Sequence, residues 1–270
     1  MVWAALVFVI TFVCALPVLI AGIDLTRLTF GSEIPIVAGV GIIFTGYAPT
    51  LAAILVSSLP GNGGVRALLG PVLRWRVSAL WYVAVFVAPV ALLLVAVGIL
   101  MAVGGSPPTA WLAVPSAADL AFLVGALVAG SFGEEVGWRG FALPRLQRRY
   151  TPLVASVVIG GIWATWHLWP AITPGGGGVT SMIALETYLR LIATSVIYTW
   201  IFNATNGSLL LVMLAHAGHN VAVRIVSVPV GAEADVSLLV ALLYAVLALI
   251  VVAASSVLES RRDLTHMQAT

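Results

Sequence analysis

Apolar residues along this chain fall in long unbroken runs, not in the alternation of a half-buried strand or the stripe of a surface helix. The runs are Trp3–Ile23, Ile34–Ser58, Val77–Val103, Ala117–Gly140, Pro152–Trp169, Ile183–Phe202, Ser208–Val228 and Val236–Leu258. Each is close to the ~20 residues a helix needs to cross the hydrocarbon core. Between them lie turn signals such as Pro60-Gly61-Asn62-Gly63-Gly64 and the flexible, uncharged stretch Gly175–Gly178. Pro17 and Pro49 fall inside runs and predict kinks. The pattern predicts an all-α polytopic membrane bundle of about eight transmembrane helices. It forms a single transmembrane domain over 1–270, with its polar motifs confined to about 117–223.

Composition sharpens this. The chain is 61% hydrophobic and 8% charged, with mean hydropathy +1.14, whereas a soluble domain carries about 25% charged residues. The single cysteine, Cys14, excludes an internal disulfide and a cysteine metal cluster. The N-terminus lacks a basic flank and a small-residue cleavage site, so the first run is expected to be a retained helix. All twelve basic residues are arginine. Arg66, Arg74 and Arg76 follow the second run, Arg145, Arg148 and Arg149 the fourth, and Arg261 and Arg262 the eighth. Arginine-rich loops face the cytoplasm, so a multi-pass protein of the cell membrane is expected, with both termini cytoplasmic. Its expected partners include membrane lipids and not nucleic acid.

Charge inside a run is the exception that carries chemistry. The fourth run contains Ser131-Phe132-Gly133-Glu134-Glu135-Val136-Gly137-Trp138-Arg139-Gly140. An ionised group at that depth costs at least ~2.5 kcal/mol. Glu135 and Arg139 are four apart and can neutralise each other on one helix face. Glu134 points about 100° away and has no local partner. Glu186 and Arg190 repeat the same spacing near the start of the sixth run, where a self-neutralised pair is expected.

Three histidines also lie in runs: His167 in the fifth, and His216 and His219 in the seventh, where Asn220 shares a face with His216. If the fourth helix continues through Pro144 to about Arg148, Glu134 sits ~21 Å above the cytoplasmic end. His167 then sits at ~24 Å and His216 at ~15 Å, so one cluster is possible. A buried Glu with a nearby His suits a general base, and a second His with an Asn amide suits an oxyanion hole. The same Glu134, His167 and His216 are permitted zinc ligands, although H-E-x-x-H is absent. No cofactor is certain; a divalent metal such as zinc is possible.

Two non-enzymatic classes compete with a hydrolase. A scaffold or immunity factor would keep the cluster for binding. A proton-coupled transporter would need a polar path across both leaflets, whereas an enzyme needs a dead-end cavity, expected here toward the cytoplasm or sideways into lipid. Polar residues are expected mainly in the cytoplasmic-to-middle zone of the fourth, fifth and seventh helices.

Glu134-Glu135-x-x-x-Arg139, then Trp163-x-x-x-His167, then His216-x-x-x-Asn220 resembles the motif series of the CAAX protease and bacteriocin-processing family. This family, also called ABI, includes the type II CAAX prenyl endopeptidase or Ras-converting enzyme. The resemblance implies an intramembrane glutamate-dependent endopeptidase that cuts near the C-terminus of a membrane-associated, sometimes lipidated, protein or peptide. Carried over by position, Glu134 and His167 would activate water. His216 and Asn220 would form the oxyanion hole, and Glu135 and Arg139 would order the site. Trp163 stands where the family usually has Phe.

Overall fold

The structure is a computed structural model that describes residues 2–25, 34–113, 116 and 127–268; for 127–129 and 256–268 it describes the backbone alone. Its helices are α1 (Val2–Ile20), α2 (Ile36–Ser58), the short α3 (Gly64–Leu69) and α4 (Ala79–Ala102). After these come α5 (127–146), α6 (Pro152–Trp166), α7 (Ser181–Ala204), α8 (Leu209–Ile225) and α9 (Glu233–Gln268). The all-α bundle expected from the apolar runs is what forms. Among the described residues, α1, α2, α4, the segment Pro152–Ile172 that contains α6, and the first part of α9 are long and apolar enough to span a membrane. These five make the chain a multi-pass membrane protein, and α5, α7 and α8 lie on the other three predicted runs. The first part of the predicted fourth span, 117–126, lies outside the described residues.

Local chemistry sets the helix starts. Ser78, Thr151, Thr180 and Ser208 each accept a backbone N–H from the first turn of the helix they precede. Pro152 sits at the start of α6, where its missing N–H is harmless.

The fourth span was predicted to hinge on Pro144, and the helix does continue through it. Here α5 is built of a π-helical stretch Leu127–Phe132, an α-turn Gly133–Glu135, a second π stretch Val136–Ala142 and a last α-turn Leu143–Leu146. π-Turns are rare and concentrate where side chains serve a function. These two flank Glu134 and Glu135.

Without a hydrophobic force between helices in lipid, small residues let backbones approach. α5 uses this against α2: a Cβ on Gly133 would lie 2.7 Å from the Gly46 carbonyl oxygen, and one on Gly137 2.4 Å from that of Pro49. The pair of glycines, four apart, presses the acid-bearing turn onto the kinked second helix. α8 packs on α4 and on α5, α6 packs on α7, and α9 covers α7 and α4. Trp3 Nε1 donates to the Pro49 carbonyl (3.1 Å) and Trp166 Nε1 to Thr11 Oγ1 (2.7 Å), which ties α1 to both sides of the bundle.

Candidate active site

The site is assembled from α5, α6, α7 and α8. Glu135 and Arg139 are both fully buried, and the Arg139 Nη1 donates to both Glu135 oxygens at 3.0 and 2.9 Å. The guanidinium lies against two adjoining aromatic rings, 4.5 Å from the Trp163 centroid and 5.1 Å from that of Tyr198. Such cation–π contacts offset part of the loss of water around a buried cation. They matter because Arg139 Nε and Nη2 have no hydrogen-bond acceptor among the described residues.

Glu134 was expected to be without a local partner. Its partner comes from another helix: Trp163 Nε1 donates to Glu134 Oε2 at 2.6 Å, with both side chains buried. A phenylalanine could not make that bond. The tryptophan at this motif position therefore has a role of its own, which motif matching by aromatic type passes over.

Both predicted ring residues flank Trp163. The His167 ring lies 5.4 Å from it and the His216 ring 5.6 Å, each edge-to-face. His167 caps the end of α6, and its Nδ1 is 3.1 Å from the Trp163 carbonyl oxygen. A carbonyl only accepts, so Nδ1 carries the proton and Nε2 offers a lone pair. His216 Nδ1 is 2.9 Å from Glu135 Oε1, so it too is the protonated nitrogen. Glu135 is thus shared between Arg139 and His216, a link between two motifs that the spacing within either one does not show.

Asn220 lies one helical turn beyond His216, beside Gly130 of α5. A Cβ on Gly130 would stand 3.5 Å from the Asn220 Nδ2. His219, the other ring on α8, turns to α9, with Nδ1 2.9 Å from Tyr244 Oη. The structure thus gathers Glu134, Glu135, Arg139 and His216 around Trp163, with His167 and Asn220 one turn further along. Tyr198, packed against Arg139 and 6.0 Å from the His216 ring, was not singled out from sequence. Nothing distinguishes it there from an ordinary apolar-span tyrosine.

Among the described residues no three His, Cys, Asp or Glu side chains are grouped so as to hold a metal ion.

A cavity of about 650 Å³ adjoins the cluster, with Asn220 and His219 in its wall beside Arg190, Arg224 and Glu233. It lies at the end of the bundle where α7 and α9 begin and α8 finishes. That is the end away from Arg74 and Arg145, which bond to the backbone of Asn206 and Asn62 at the opposite end. The sequence led to the expectation of a cavity toward the arginine-rich side or into lipid, with polar groups concentrated there. A cavity of about 460 Å³ lies on the arginine-rich side, lined by Asn62, Arg74, Arg145 and Arg148, and the one that reaches Asn220 lies at the other end.

A multi-pass helical membrane protein with a buried acid–imidazole cluster is the class that fold and site define. Residues 115–222, which enclose all three motifs, match the family model described as type II CAAX prenyl endopeptidase Rce1-like. The chain is also similar to CAAX prenyl protease 2 of Methanococcus maripaludis, 31% identical over 96 residues, which is 33% of this chain and 35% of that protein. The chain thus matches about a third of the length of that curated relative. The resemblance seen in the motifs extends to the whole segment around them.

Proposed function

We propose that the protein is a membrane-embedded peptidase of the CAAX-protease type, with Glu134 as general base. The observation that carries this reading is the Glu134 carboxylate, buried and fixed by the Trp163 indole beside two imidazoles. Glu134 takes a proton from water as the oxygen attacks a peptide carbonyl, and returns it to the leaving amine when the C–N bond breaks. His167, with its Nε2 lone pair, accepts the second water proton as a hydrogen bond and orients the nucleophile. The carbonyl oxygen gains negative charge and is met by the Asn220 amide and by His216. Since His216 Nδ1–H is committed to Glu135, donation from Nε2 requires the imidazolium form. Two carboxylates and one guanidinium leave one negative charge, which a proton on His216 balances.

The similarity to a protein named CAAX prenyl protease supports a substrate cut near its C-terminus, membrane-associated and in some cases lipidated. The arginine-rich loops support an orientation with both termini in the cytoplasm. The cavity then faces the non-cytoplasmic half, so the substrate tail is presented there or within the bilayer. Cysteines placed singly at positions 62 and 231 and tested with an impermeant thiol reagent check this. Labelling in intact cells is expected at 231 and not at 62.

Purified protein incubated with a quenched, C-terminally lipidated peptide tests the activity. Cleavage by the wild type is expected, with Glu134→Ala and His167→Ala inactive yet inserted and folded. A Glu134→Ala protein that still cuts at the normal rate removes Glu134 from the mechanism. Folded wild type that cuts none of a peptide panel favours a scaffold or immunity role.

A further inference from the structure

The cavity at the arginine-rich end has no part in the catalytic scheme. It measures about 460 Å³ and lies between α3, the end of α5 and the turn that joins α7 to α8. Arg74, Arg145 and Arg148 line it, and none of its lining residues is acidic. Two of the three are held by backbone. Arg74 Nη1 donates to the Asn206 carbonyl at 2.6 Å. Arg145 donates from Nη1 to the Phe141 carbonyl and from Nη2 to the Asn62 carbonyl, both at 3.0 Å. Carbonyl acceptors fix a guanidinium without cancelling its charge, and each guanidinium has five N–H donors, more than these bonds use. Arg148 stands exposed on the same wall. Three like charges around one space repel one another, and an anion seated among them removes that cost. Ser57 of α2 lines the same cavity. It is 2% exposed, and its Oγ has no hydrogen-bond partner among the described residues. A buried hydroxyl without a partner is costly, and a ligand oxygen in the cavity supplies one.

We infer that this cavity binds the phosphate of an anionic phospholipid from the leaflet on the arginine-rich side. A phosphate presents several acceptor oxygens to guanidiniums that reach it from α5 and from the segment between α3 and α4, and the Ser57 hydroxyl donates to another. The neighbouring chain favours a lipid over free phosphate. Gly64–Leu73 is a short apolar helical stretch that contributes Leu68 and Pro71 to the wall. It exposes Leu69 and Leu73, with Trp75 just beyond. Exposed leucines beside an interfacial tryptophan suit a segment lying among headgroups, which brings acyl chains to the cavity mouth. The volume suits a glycerophosphate headgroup and falls within the roughly 300–1,000 Å³ of small-ligand sites.

Binding there is measured without any turnover. Phosphatidylglycerol, phosphatidylcholine and inorganic phosphate are each titrated into the purified protein in neutral detergent, and affinity is read from the rise in unfolding midpoint. A neutral micelle has no surface charge to attract lipid, so a preference reports a site on the protein. Wild type is expected to bind phosphatidylglycerol about 10- to 100-fold more tightly than phosphatidylcholine, whose choline cation meets the arginines; that is the range for charge-assisted contacts. Arg148→Gln is expected to weaken phosphatidylglycerol about fivefold, as removal of one arginine beside an anionic headgroup does. Ser57→Ala, which changes no charge, is expected to weaken it about two- to tenfold, the worth of one hydrogen bond. Arg66→Gln removes an exposed charge of α3 that lies outside the cavity wall and should leave the affinity unchanged. Equal affinity of wild type for the two lipids overturns the proposal. So does an equal loss in Arg66→Gln and Arg148→Gln, which would reduce the preference to net charge. Inorganic phosphate bound as tightly as phosphatidylglycerol would assign the cavity to a free phosphate and overturn the lipid. Should Ser57→Ala fail to fold, Arg148→Gln, at an exposed position, decides the matter alone.

Discussion

Two pairs in this chain have the same spacing, Glu135 with Arg139 and Glu186 with Arg190, and the structure makes them opposites. The first is sealed, with 0% of either side chain exposed, and its cation lies against two aromatic rings. The second keeps 23% of its arginine and 15% of its glutamate exposed at a cavity wall. Four-residue spacing guarantees only that the two charges can meet. What the pair then does depends on what the neighbouring helices supply. Around Arg139, α6 and α7 bring Trp163 and Tyr198, while α8 brings His216 to share Glu135, so the pair becomes internal framework. Around Arg190, α9 brings only Ser237 to the acid, and the guanidinium stays available.

The largest expected difference between the pairs is in stability. Arg139→Met leaves buried Glu135 with His216 as its remaining partner, and removing one partner of a buried pair costs about 3–5 kcal/mol. Unfolding of purified protein in a denaturant series should show this, together with loss of His216 order. A change below ~1 kcal/mol would mean that the pair is hydrated and that the contrast with Arg190 is one of degree. Next in size is Trp163→Phe, which keeps the ring stacked near Arg139 but deletes the indole N–H to Glu134. A hydrogen bond to a charged group contributes about 1.5–3 kcal/mol, so the variant should lose about that much stability, and kcat on the quenched peptide should fall about 10- to 100-fold. Full activity would show that Glu134 is positioned by something other than Trp163. The smallest effect belongs to the wall pair. Arg190→Gln should shift stability by no more than ~1 kcal/mol, the usual worth of a partly exposed ion pair. A loss as large as that of Arg139→Met would make Arg190 framework as well.

The architecture was legible because lipid imposes a simple rule. Runs of about 20 apolar residues become helices, and each described span lies where its run is. The passage of α5 through Pro144 was a stated requirement of the cluster, and the π-turns that accompany it were not legible, since no local pattern distinguishes them from an α-helix. Within the site, the pairing of Glu135 with Arg139 and the common helix of His216 and Asn220 followed from spacing. The bond between Glu134 and Trp163 could not, because it joins residues 29 apart on different helices. The one available signal was the residue type itself, an indole N–H where relatives place a phenyl ring. The grouping of charges around the cavity beside Asn220 was not legible for a similar reason. Arg190 and Arg224 look, in sequence, like charges near span ends, and only the packing of α7, α8 and α9 puts them on one wall.

The most direct test replaces the acid by its isostere. Glu134→Gln keeps a carbonyl oxygen to accept from Trp163 and alters little besides the capacity to hold a proton. For the purified variant, with the wild-type unfolding midpoint, kcat/KM on the quenched peptide is expected to fall by about 10²- to 10⁴-fold, the contribution of a positioned general base. A folded Glu134→Gln protein that cuts the peptide within a factor of two of wild type would contradict the assignment of that carboxylate as the base.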